Sequence, residues 1–147
     1  MTTGDNLSCL QGPSTSCTGK TIFRSLSAAG KAAILDRHNT LRRKVAKGEE
    51  EGGINPPQPA AANMRKMVWS EELELIAQRW ADQCTFGHDS VRTKLDGTQV
   101  GQNAFIGYSS AQAEEDVVQA GMAQPAQSWY DEVTNPGFDS QNIKPFK

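Results

Sequence analysis

The stretch Gly52-Gly53-Ile54-Asn55-Pro56-Pro57-Gln58-Pro59 cannot be helical. Proline fixes φ and has no N–H to donate, so three prolines within four residues hold the backbone extended, as in polyproline II. A chain of 147 residues interrupted in this way must fold as separate elements on either side of the break. A proline-recognition ligand is one use of such a stretch. A rigid surface connection is the simpler one, because helical patterns flank it.

Upstream, Ile34, Leu35, Leu41 and Val45 recur at helical spacing from Ser27 onward, and Gly48 supplies the stop. The basic residues Arg42, Arg43, Lys44 and Lys47 are followed at once by Glu49, Glu50 and Glu51, which reads as the solvated face of that helix. Downstream, Ser70 caps a second helix, with Glu71 and Glu72 in the first turn where the macrodipole favours acids. Leu73, Ile76, Ala77, Trp80 and Cys84 form its buried stripe. A turn-rich segment, a short strand and a third helix follow. Residues 1–26 are rich in Ser, Thr and Gly and need a covalent tether to be ordered.

Fifteen basic and 17 acidic side chains give a net charge of -2, which supplies no footprint for nucleic acid or an anionic membrane. The mean hydropathy of -0.57 is that of a polar globular chain. No window approaches the roughly 18 apolar residues of a transmembrane helix, and Met1 to Ser16 has no signal-peptide h-region. Asn6-Leu7-Ser8 is nevertheless a glycosylation sequon, and three cysteines hint at an oxidising compartment.

Cys84 and His88 stand four residues apart at the end of the second helix. A metal site, a catalytic cysteine, and a disulfide beside a polar pocket are the candidate readings. Zinc wants four ligands and no second Cys or His lies nearby, while nothing in the sequence marks a depressed thiol pKa. Gly87 suits the left-handed position past a helix end, so His88 leaves on a turn while Cys84 stays on the stripe. The residues favour a disulfide half and a separate polar histidine.

The blocks "ILDRHNTLRRKVAKG", "NPPQPAAANMRKMVWSEELELIAQRWADQC", "FGHDS" and "VGQNAF" resemble the CAP superfamily, and within it the arthropod antigen 5 proteins of venom and saliva. The resemblance spans about residues 17–133. It implies a secreted, disulfide-bonded α+β fold, the three-layer α/β/α sandwich, with a cleft lined by two histidines and two acids often described as a metal-binding tetrad. Residues 1–26 then form a cysteine-containing extension, and residues 27–147 the N-terminal portion of the domain. The resemblance further implies a protein without enzymatic activity or cofactor. Such a protein acts by binding a small hydrophobic or amine ligand, or host proteins.

Carried over by position, the first tetrad histidine is similar to His88. The Gly-Glu-Asn motif reads Gly101-Gln102-Asn103, so an amide stands where the pattern has an acid. The second acid resembles Glu132 of "SWYDEV". With Trp129 and Val133 facing inward on a helix, Glu132 lies near Trp129, whereas Asp131 projects to the opposite side. The Gly-His-Tyr-Thr-Gln block of the second histidine is not found before Lys147. His38 resembles the family's helix histidine, a packing or hydrogen-bonding group. The antigen 5 pattern pairs Cys84 with Cys17 and leaves Cys9 over. Two other readings compete: a metal-dependent hydrolase using His88 and Glu132, and an inert truncated paralogue. A pocket for amphipathic ligands is expected to be apolar, against the first and third helices, from Val117, Val118, Met122 and Trp129.

Overall fold

The computed structural model describes residues 13–19, 26–55, 57–107 and 121–143. The sequon, Cys9, Val117 and Val118 lie outside these. The chain divides into two compact units. Unit one is Met1–Leu26 with Ser70–Glu115, and unit two is Ser27–Trp69 with Asp116–Lys147.

In unit two, helix α1 spans Ala28–Ala46 and opens where the Ser27 side chain accepts the Gly30 N–H at 3.1 Å. It closes at Lys47, followed by Gly48 at φ 74°, the left-handed region that a residue without Cβ enters freely. After the break the chain runs extended back along α1. Asn39 is buried and pairs with both backbone groups of Met67, donating to its O at 3.1 Å and accepting its N–H at 2.8 Å. Arg42 adds two donors to the Arg65 carbonyl oxygen, at 3.0 and 2.8 Å. One helix thus supplies side chains where a neighbouring strand would supply backbone.

Helix α3 spans Gln124–Asp131, with Pro125 in its first turn where a missing N–H costs nothing. It packs against α1, burying Leu41 and Ala126. Asn135 leaves helical geometry (φ −142°, ψ 109°) ahead of Pro136, as the residue before a proline tends to. The Asn135–Pro136 peptide is cis. Ile54 then forms an isolated parallel bridge with Asp139, its N–H donating to Phe138 O at 2.9 Å. Gly53 lets these segments close up: at φ 104°, a Cβ there would meet Phe138 O at 2.6 Å.

In unit one, helix α2 spans Glu71–Ala81, capped by Ser70 accepting the Leu73 N–H at 3.4 Å. Its apolar stripe is not buried as the periodicity implied. Within that stripe Leu73 is 40% exposed while Ile76 and Trp80 are half-buried, and no α2 residue is fully buried. Amphipathic spacing shows which face could be covered, and coverage needs a partner layer. A second correction concerns the helix end. α2 stops at Ala81, so Cys84 has left the stripe, and it is Cys84, at φ 52°, that takes a left-handed position.

Among the described residues no strand forms. Two isolated bridges stand there, the second joining Thr93 and Gln99 around the turn at Asp96 and Gly97. Of the strand expected after the turn-rich segment, residues 101–107 show no regular element. A ladder requires a neighbouring strand that these residues do not find.

Candidate functional site

The loop carrying His88 is fixed from both sides. Cys17 and Cys84 are disulfide-bonded with Cα atoms 5.3 Å apart, which anchors the Thr15–Cys17 turn on the end of α2. Ser14 N–H donates to Asp82 O at 2.9 Å beside this bridge. From the helix, the Trp80 indole N–H donates to Gly87 O at 2.9 Å, one residue before His88. The four-residue spacing of Cys84 and His88 is therefore the distance between a staple and the group it positions.

His88 is exposed, and its Nδ1 lies 3.2 Å from Gln102 Oε1. The same oxygen accepts the Asp89 backbone N–H at 2.9 Å. That second bond settles the chemistry. A backbone N–H can only donate, so the Gln102 atom facing it is oxygen, and His88 must donate to that oxygen through Nδ1–H. In the neutral ring the lone pair is then on Nε2. Gln102 can orient this imidazole, but an amide neither takes a proton as a base nor offsets cationic charge.

Beside it, Asp89 is buried at 4% exposure, one carboxylate oxygen accepting the Val91 N–H at 2.9 Å. Of the tetrad-like residues, His88 and Gln102 are brought together within unit one. Glu132 belongs to unit two. It is not the inward-facing helical residue the spacing gave. α3 ends at Asp131, and Glu132 is its exposed C-cap. Among the described residues, no group of three or more His, Cys, Asp or Glu side chains is placed to hold a metal ion. His38 sits in α1 with Nδ1 2.9 Å from Ile34 O and its ring 6.3 Å from Trp129.

Unit two holds a constellation that sequence reasoning missed. Glu50, which the sequence places in a solvated acidic run, is only 4% exposed. Its carboxylate accepts Lys44 Nζ at 2.7 Å, the Gly52 N–H at 2.6 Å and the Tyr130 hydroxyl. Burial pushes its carboxyl up, but hydrogen bonds from Lys44, Tyr130 and Gly52, with the Lys44 charge, outweigh that and hold it at about 2. Tyr130 is pushed up by burial and by the Glu50 carboxylate.

These groups wall a cleft of about 370 Å³ between α1 and α3. From α1 it takes Arg37, Thr40, Leu41 and Lys44, one helical face; from α3 it takes Gln127, Tyr130 and Asp131, another. An apolar pocket was expected against these helices. The α1–α3 cleft is mixed: charged and amide side chains stand beside Leu41 and Val133, and of the residues named for the apolar pocket Val117 and Val118 lie outside the described residues. Asp131, expected to point away, lines the cleft and accepts from Gln127. The 37/40/41/44 and 127/130/131 spacings were the available signal.

Residues 35–144 match the CAP family, described as the cysteine-rich secretory protein family, and the chain belongs to it. It is 44% identical over 121 residues to a venom allergen 3 homolog of Dinoponera quadriceps, covering 82% of this chain and 49% of the relative. It is 42% identical over 114 residues to venom allergen 5 of Vespula maculifrons, covering 78% and 53%. Venom allergen 3 of Solenopsis invicta is 42% identical over 118 residues, covering 80% and 47%. The chain thus spans about half the length of these relatives. No helix among the described residues is long and apolar enough to cross a membrane.

Proposed function

We propose that this chain is an extracellular protein of the venom-allergen type that acts by binding and turns over no substrate. The observation that carries the reading is the double use of Gln102 Oε1, which takes one hydrogen bond from Asp89 N–H and one from His88. A hydrolytic site needs a group there that accepts a proton or stabilises an imidazolium, and a neutral amide does neither. One imidazole and one amide with its oxygen already engaged also fit a zinc ion poorly. The Cys17–Cys84 bridge and the family's secretory character support an extracellular location. We read the three helices as part of the family's α/β/α sandwich.

The test is turnover. Purified protein is expected to leave peptide and ester substrates intact, with His88→Ala indistinguishable from the parent. Hydrolysis by the parent that disappears in His88→Ala would overturn the reading.

A further inference from the structure

We propose that the α1–α3 cleft of unit two binds a small polyol, a sugar of one or two rings. This goes beyond the binding reading above and depends on unit two alone. A cleft of about 370 Å³ is near the lower end of small-molecule sites, too small for a long acyl chain or a peptide. Its walls combine the apolar Leu41 and Val133 with interleaved donors and acceptors, the amphipathic mix that a sugar ring itself presents. Arg37 donates to the Gln127 side-chain oxygen Oε1, and the Gln127 side-chain amide Nε2 donates in turn to Asp131. Lys44 and Tyr130 both donate to the buried Glu50.

Two cations and two carboxylates line the same space, so no net formal charge selects an anion or a cation. A wholly apolar ligand would cover these charged and amide groups without offering them a hydrogen bond. An added amine would compete with Lys44, which already places an ammonium 2.7 Å from Glu50 and 5.7 Å from the Tyr130 ring centroid. Hydroxyl groups both donate and accept, so vicinal hydroxyls can join such a relay without displacing an ion pair. Planar guanidinium, amide and carboxylate ends suit adjacent hydroxyls, and Leu41 and Val133 in the lining offer apolar contact for a sugar's C–H side.

The experiment is saturation-transfer NMR and calorimetry on the disulfide-intact chain. The probes are methyl mannoside, methyl glucoside, N-acetylglucosamine and chitobiose, with decanoate and tyramine as competing classes. At least one sugar is expected to bind, weakly, because wall groups already paired exchange one partner for another. Gln127→Leu and the milder Asp131→Ala are each expected to weaken it roughly tenfold, with unchanged circular dichroism. Absence of saturation transfer to every sugar, equal binding by Asp131→Ala, or preferential binding of decanoate or tyramine overturns the proposal. None of these outcomes bears on the His88 turnover test, so the two readings fail separately.

Discussion

Unit one is closed by a covalent bond, and unit two by hydrogen bonds to buried polar groups. In unit one the Cys17–Cys84 bridge spans 67 residues and holds a short turn against the end of α2, whose own apolar face is half exposed. In unit two the work is done by Asn39 on Met67, by Glu50 between Lys44, Tyr130 and Gly52, and by Gln58. The Gln58 amide reaches Gly52 O at 3.1 Å and Phe138 O at 3.3 Å. The difference teaches that a polar, modestly apolar chain can order its segments by two distinct means. A disulfide restricts the unfolded chain whatever the pH, whereas a buried carboxylate stabilises only while it is ionised.

The largest expected effect breaks unit one. Cys84→Ser removes closure of a 67-residue loop, worth about 4 kcal/mol in the chain-entropy description. Cys84 also holds a left-handed backbone position that is unfavourable for a side-chain-bearing residue. Hydrogen exchange is expected to speed up in residues 13–19 and 82–90 while α1 keeps its protection. Non-reducing peptide mapping that finds Cys84 free, or bonded to Cys9, contradicts the pairing.

Next in size is Glu50→Gln, at about 3 kcal/mol at neutral pH. The folded carboxyl titrates near 2 and the unfolded one near 4.5, so its contribution is fully present above pH 4.5. It is lost as pH falls towards 2. The parent is therefore expected to lose stability over this acid interval, and Glu50→Gln to show a flatter profile there in denaturant titrations. Parallel profiles would show that Glu50 is not the latch.

Asn39→Ala should cost about 2 kcal/mol, for two hydrogen bonds to Met67 and the backbone groups left behind. Amide exchange at Met67 is its direct readout. The smallest effect is Asp96→Asn in unit one. Its carboxyl is held at about 2, first by the Thr98 N–H, with Lys94 adding to it, yet its side chain is 58% exposed. Screening leaves such a pair little weight, and Tm is expected to stay within error.

Much of unit one was legible because its signals are local or covalent. Ser70 announces the start of α2, as Ser27 does that of α1 in unit two, and the family pattern points from Cys84 to Cys17. The end of α2 was not legible, since the apolar spacing runs on past Ala81 to a cysteine that the disulfide, and not the stripe, positions. Glu50 was illegible for a different reason. Three consecutive acids look alike in sequence, and only the return of the chain past Gly52 and the arrival of Tyr130 80 residues later bury one of them. Glu132 turns on a boundary: the helix ends one residue before it, and its side chain is exposed in unit two. His88 and Gln102 come within hydrogen-bonding distance, their motifs standing 14 residues apart in one unit.

The central claim is that the amide at Gln102 leaves His88 an oriented polar group of a binding protein, short of the ligands a metal-dependent reaction needs. Titrating zinc into metal-free, disulfide-intact protein by calorimetry tests it most directly. The account predicts no stoichiometric uptake in the micromolar range. Tight one-to-one binding, lost in both His88→Ala and Glu132→Ala, would contradict it.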